Sequence, residues 1–73
     1  MAKKGGSAVY RVTQVIGTSS QSWEDATRNA VKTAAGTLSD LRIAEIEKLD
    51  VKIENGKVTQ FRARLSLSFK YGA

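Results

Sequence analysis

Neither cysteine nor histidine occurs anywhere in the 73 residues. Without them there is no thiolate nucleophile, no imidazole acid or base, and no Ser-His-Asp arrangement. Disulfide staples and zinc sites built from thiolate or imidazole are excluded by the same two absences. Long hydrophobic runs are missing too: the apolar stretches last only a few residues, too short for a membrane-spanning helix. Residues 1–7, Met-Ala-Lys-Lys-Gly-Gly-Ser, begin with basic character but lack the apolar segment of a secretory signal. Together with the missing cysteine, this gives the expectation of a cytoplasmic protein.

The chain has room for one domain and not for two. A chain of this size buries roughly 60% of the surface its unfolded form exposes, and one such core seldom supplies more than about 3 to 5 kcal/mol. With metal and disulfide staples gone, oligomerisation is the ordinary remaining route to stability. The formal charge is +5, from 12 Lys and Arg against 7 Asp and Glu. That excess raises the question of a polyanionic partner, but Lys3 and Lys4 belong to residues 1–7, which read as a disordered leader with nothing to bury. The expected domain is then 8–73, and it is only mildly basic.

Residues 8–16, Ala-Val-Tyr-Arg-Val-Thr-Gln-Val-Ile, are dense in β-branched and aromatic side chains and predict a first strand. Gly17-Thr18-Ser19-Ser20 reads as its terminating turn. Ser22 is a good helix N-cap, Glu24 and Asp25 put negative charge at the favourable end, and the helix is expected over 23–37. Trp23, Ala26, Ala30, Ala34 and Leu38 recur at spacings of three and four, forming one mostly alanine stripe that allows close approach to a sheet. Gly36 marks the expected end.

Residues 41–54 form a long second strand whose parity switches: Leu41, Ile43, Leu49, Val51 and Ile53 share one side, while Glu45 and Glu47 interrupt it and Ala44 and Ile46 take the other. A β-bulge explains such a switch. Asn55-Gly56 is a strong two-residue hairpin signal, since both residues tolerate positive φ. In the third strand Phe61, Ala63, Leu65, Leu67, Phe69 and Tyr71 alternate with Gln60, Arg62, Arg64, Ser66, Ser68 and Lys70. The fold class is therefore α+β: a β-α-β-β subunit with a three-stranded antiparallel sheet packed on one amphipathic helix. Its long sheet edges invite pairing with further copies.

Chemistry-bearing groups are few. The turn after the first strand lacks a phosphate-loop signature, and Glu24 and Asp25 weaken any anion site at the helix start. Glu45 and Glu47, two apart on a strand, share a face and repel unless a cation lies between them. An ion pair across to Arg62 or Arg64 is one reading; a calcium- or magnesium-type site assembled from several subunits is the other. Trp23 reads first as core and second as a ring on which a ligand stacks. Tyr10, Phe61, Phe69 and Tyr71 read as packing.

Val15-Ile16-Gly17-Thr18-Ser19, one helix, Thr37-Leu38-Ser39-Asp40-Leu41 and the closing Leu65-Ser66-Leu67-Ser68-Phe69, in that order, resemble the dodecin family over nearly all of residues 9–71. The resemblance implies β-α-β-β subunits assembled into a hollow homododecamer. Typical dodecins bind flavins in pairs through a tryptophan at the start of strand two and a glutamine on strand three. Ile43 and Arg62 fall at those positions here, with Glu45 beside them. Isoleucine offers no flat π face, and arginine replaces a neutral donor and acceptor with a cation that cannot accept, so flavin binding is expected to be weak or absent.

Ser22-Trp23-Glu24 and the Arg42-Ile43 region without tryptophan look like the flavin-poor branch described as calcium dodecins. That resemblance implies divalent-cation binding by oxygen ligands at subunit contacts, with Glu24, Asp25 and Glu47, and also Glu45, as the carboxylates nearest predicted edges. The expectation is a homo-oligomeric protein that binds or sequesters a small ligand or cation, not an enzyme and not a membrane protein. The alternative is a nucleic-acid-binding basic module using Lys3, Lys4, Arg11, Arg28, Lys32, Arg62 and Arg64, which lacks the exposed aromatic strand that base stacking needs.

Overall fold

A computed structural model of the chain describes residues 8–70. The expected leader at residues 1–7 and the last apolar position of strand three, Tyr71, lie outside the described residues. Strand β1 (Tyr10–Ser19), helix α1 (Trp23–Ala35), strand β2 (Leu41–Glu54) and strand β3 (Lys57–Lys70) follow in the predicted order. The sheet runs β1-β3-β2, antiparallel throughout, so β3 is central and both partners are edges.

The first strand runs three residues further than expected. Gly17-Thr18-Ser19 does not turn: Gly17 pairs with Ala63 and is buried under α1. A methyl group at Gly17 would overlap the Ala26 carbonyl oxygen and come within 2.7 Å of the Ala30 side chain. Glycine is therefore required here for space and not for a bend. The reversal happens one step later and is held by hydroxyls. Ser19 Oγ accepts from Gln21 N at 2.9 Å and donates to Asp25 Oδ2 at 2.7 Å, while Ser22 Oγ caps the helix by accepting from Asp25 N at 3.0 Å. The helix stops two residues short of the expected Thr37, and its last turn tightens as Gly36 N donates to Thr33 O at 3.2 Å and Thr37 N to Ala34 O at 3.0 Å.

Ala26, Ala30 and Ala34 meet Ala63, Leu65 and Leu67 of the central strand, and these six make up the buried apolar core. Among the described residues only Leu65 and Leu67 are large and fully buried. A 13-residue helix spans roughly 20 Å and a 14-residue strand roughly 45 Å, so α1 covers less than half of the β2–β3 hairpin. The subunit measures 58 × 21 × 15 Å with a radius of gyration of 15.5 Å, against about 11 Å for a compact domain of this length. Ile43, Ile46, Leu49, Ile53 and Val58 stand exposed along the uncovered hairpin.

Asn55 (φ 52°) and Gly56 (φ 75°) make the two-residue turn that the sequence called for. The register then slips between Lys52 and Ile53 and slips back between Ile46 and Lys48, with a third irregularity between Leu41 and Ile43. The first slip puts Leu49 opposite Ala63 and Val51 opposite Phe61, on the helix side. Unshifted pairing would instead turn Lys48 and Asp50 toward the helix. This is the parity switch seen in the sequence, resolved by bulges at a small cost in ladder hydrogen bonds.

Candidate functional site

The polar face of the sheet, turned away from α1, carries most of the chemistry-bearing side chains. Its rows follow from the register: Thr18, Arg62 and Asp50; Ile16, Arg64 and Lys48; Gln14, Ser66 and Glu45; Val12, Ser68 and Ile43.

Arg62 does not serve Glu45 or Glu47, the partners expected for it. It forks onto Asp50, Nε to Oδ1 at 2.7 Å and Nη2 to Oδ2 at 3.1 Å. Counting straight back from the Asn55-Gly56 turn would put Leu49 there, and the slip at Lys52/Ile53 delivers Asp50 instead. The hydrogen bonds from Arg62 hold the Asp50 carboxyl below its ordinary value against partial desolvation, with the charges of Arg62 and Arg64 adding to the effect. The same contact raises the Arg62 guanidinium.

Asp50 also ties the helix start to the sheet, because its carbonyl oxygen accepts from Trp23 Nε1 at 3.0 Å. Trp23 is not core: 39% of it is exposed, and its ring meets Phe61 edge-on at 5.3 Å. Together with Ile46, Leu49 and Phe61 it lines a shallow apolar hollow that has Glu24 at the rim. Tyr10, read as packing, is likewise exposed, while Phe69 lies under the Arg11 guanidinium at 5.8 Å.

Glu47 sits in the second bulge and is turned toward Ser66, whose hydroxyl donates to Oε2, while Gln14 Nε2 donates to Oε1 at 2.9 Å. Glu45 faces Ser66 directly and, among the described residues, accepts no side-chain hydrogen bond. Glu45 and Glu47 therefore do share a face. Glu24 and Asp25 lie at the other side of the sheet, and Asp25 is already engaged by Ser19 and by the helix cap. Among the described residues no three acidic side chains come close enough to hold a metal ion. Oxygen donors of the hard type that calcium takes are present, but they are dispersed among the described residues.

Ile43 is 58% exposed and pairs with Ser68, six residues along β3 from Arg62 and so about 20 Å away. The two positions are not brought together within one chain. Glu45 lies between them. Asp50, Gln14 and Ser66 were not singled out from the sequence; Asp50 would have been found only by anticipating the first bulge. The cations considered for nucleic acid are divided as well. Arg28 and Lys32 are exposed on the helix, Arg62 and Arg64 stand on the opposite face of the sheet, and Lys3 and Lys4 lie outside the described residues.

A four-element β-α-β-β chain with a central third strand and one close-packed alanine helix defines a small α+β class of fold. The chain belongs to the dodecin family, whose profile matches residues 9–72. It is 41% identical over 64 residues to the calcium dodecin of Mycobacterium tuberculosis, covering 86% of this chain and 89% of that one. The dodecin of Streptomyces coelicolor superposes with a TM-score of 0.87 at 36% identity, over 94% of this chain and 99% of its own. The crystal structure of the M. tuberculosis calcium dodecin, described as a calcium-chelating antigen with a novel calcium-binding site, matches with a TM-score of 0.77 at 39% identity, over 86% of this chain and 90% of its own. No helix among the described residues is long and apolar enough to cross a membrane.

Proposed function

We propose that this protein is a cytoplasmic homododecameric shell that binds and sequesters divalent cations, calcium foremost, and that it has given up flavin and performs no catalysis. One observation carries the reading: among the described residues, apolar side chains along the β2–β3 hairpin stay exposed, which supports a stability that awaits other copies. Glu24, Asp25, Glu45 and Glu47 are the ligands we assign to the contacts between copies. Hard carboxylate oxygens suit calcium, and the similarity to the calcium dodecin supports that choice. The loss of flavin rests on Ile43, which offers no aromatic face, and on Arg62, whose guanidinium is spent on Asp50.

Native mass spectrometry combined with terbium luminescence tests the proposal. A particle of twelve subunits is expected, together with terbium emission sensitised by Trp23, displaced by calcium and diminished by Glu24→Gln or Glu47→Gln. A stable monomer at working dilution overturns the shell. A dodecamer with no saturable terbium or calcium response overturns the cation reading and leaves the shell standing.

A further inference from the structure

On the polar face of the sheet, Lys48 stands directly across from Arg64. Like charges in directly opposed positions destabilise a sheet, and at the neighbouring row the chain answers arginine with a carboxylate, Asp50 for Arg62. The core explains the register slip but not the residue at position 48. Once Leu49 and Val51 face the helix, Lys48 points outward and is free of any packing demand, so an acidic residue there would complete a second ion pair. Unshifted pairing would have set Glu47 opposite Arg64; the slip removes it, and Glu47 turns to Ser66 and Gln14.

The carboxylates around this pair make their hydrogen bonds elsewhere, although Asp50 also feels the Arg64 charge. Both Asp50 oxygens hold Arg62, both Glu47 oxygens accept from neutral donors, and Glu45, one row away, makes no ion pair with either cation among the described residues. Arg64 also walls a hollow on the β1 side together with Gln14, Val15 and Ile16. The hollow thus combines a guanidinium, the half-exposed Ile16 side chain and a carboxamide that already donates to Glu47 Oε1, while Lys48 flanks Arg64 from the opposite strand outside its wall.

We infer that Lys48 and Arg64 form a binding site for a small phosphorylated ligand, its oxyanion held between the ammonium and the guanidinium and its apolar body lying on Ile16. Arginine grips a phosphate with paired N–H donors while lysine adds a point charge, which makes a doubly charged oxyanion the natural occupant. Neutralising the two cations together relieves the cross-strand repulsion, so ligand binding and sheet stability are linked. The site uses none of the carboxylates assigned above to cations.

The test is titration of the assembled full-length protein with inorganic phosphate and with phenyl phosphate, followed by calorimetry and by the thermal midpoint. Saturable binding is expected for both, tighter for phenyl phosphate, with a rise in midpoint. Arg64→Gln and Lys48→Gln each weaken both probes at least tenfold, roughly the loss of one charge-assisted contact. Ile16→Ala weakens phenyl phosphate alone, and Lys52→Gln changes neither. Lys48→Glu abolishes binding and raises the midpoint of the ligand-free protein by completing the ion pair, which also shows that the variant folds. The inference is overturned if neither probe saturates at millimolar concentration, or if Lys48→Glu binds as the parent does. Terbium luminescence of the Lys48 and Arg64 variants is expected to match the parent, so failure here leaves the cation reading untouched.

Discussion

Arg62 Nε lies 2.7 Å from Asp50 Oδ1, and this one contact joins the central strand to the edge strand whose backbone also receives the Trp23 indole. Because the Asp50 carboxyl is held below its ordinary range, the pair stabilises the fold above the unfolded-state value and loses that contribution as pH falls through the lowered native value. Acid titration of the thermal midpoint checks it. The parent is expected to lose midpoint below about pH 4 more steeply than Asp50→Asn, the two curves converging once the carboxylate is protonated.

Gly17 meets the helix backbone with no room for a side chain. Gly17→Ala is expected to push α1 off the sheet at a cost of about 1 to 3 kcal/mol or more, in the manner of an overpacked core. Urea unfolding of the assembled protein measures it, and an unchanged midpoint would mean that the helix can shift freely.

Leu65 is one of the two large side chains that are completely buried among the described residues. Leu65→Ala should destabilise by about 2 to 5 kcal/mol, as cavities in well-packed cores do. In so small a core the loss should appear as dissociation as well as unfolding, read by light scattering alongside circular dichroism.

The Ser22 hydroxyl satisfies a backbone donor of the first helical turn. Ser22→Ala is expected to cost about 1 kcal/mol and Ser22→Gly only a few tenths, a difference resolved by parallel denaturation curves.

If Ile43 and Arg62 are what exclude flavin, the parent leaves riboflavin fluorescence unquenched at stoichiometric protein. Ile43→Trp combined with Arg62→Gln restores an aromatic face and a neutral acceptor, and quenching is expected to appear with it. Quenching by the parent would show that these positions do not control the site.

Much of the architecture was legible because it rests on local signals. The alternation in β3, the alanine stripe in α1, the Ser22 cap and the Asn55-Gly56 turn each follow from period or backbone preference, and each stands where it was read. The turn at Gly17 was misread because glycine has two uses, bending and close approach, and only the packed helix distinguishes them. Trp23 was read as core because its spacing fits the stripe; it opens the helix at its exposed end, where its ring meets Phe61 edge-on.

Composition and pattern by themselves determined the class of this protein: a chain without cysteine or histidine, one helix on three antiparallel strands, and a small core. The pairing of charges was decided only in three dimensions. Which residue faces Arg62 or Arg64 depends on the single-residue slip between Lys52 and Ile53, and such a slip exchanges the faces of the strand segment beyond it. A bulge is chosen by the sum of packing on both sides of the sheet, a non-local quantity that no window of neighbouring residues contains.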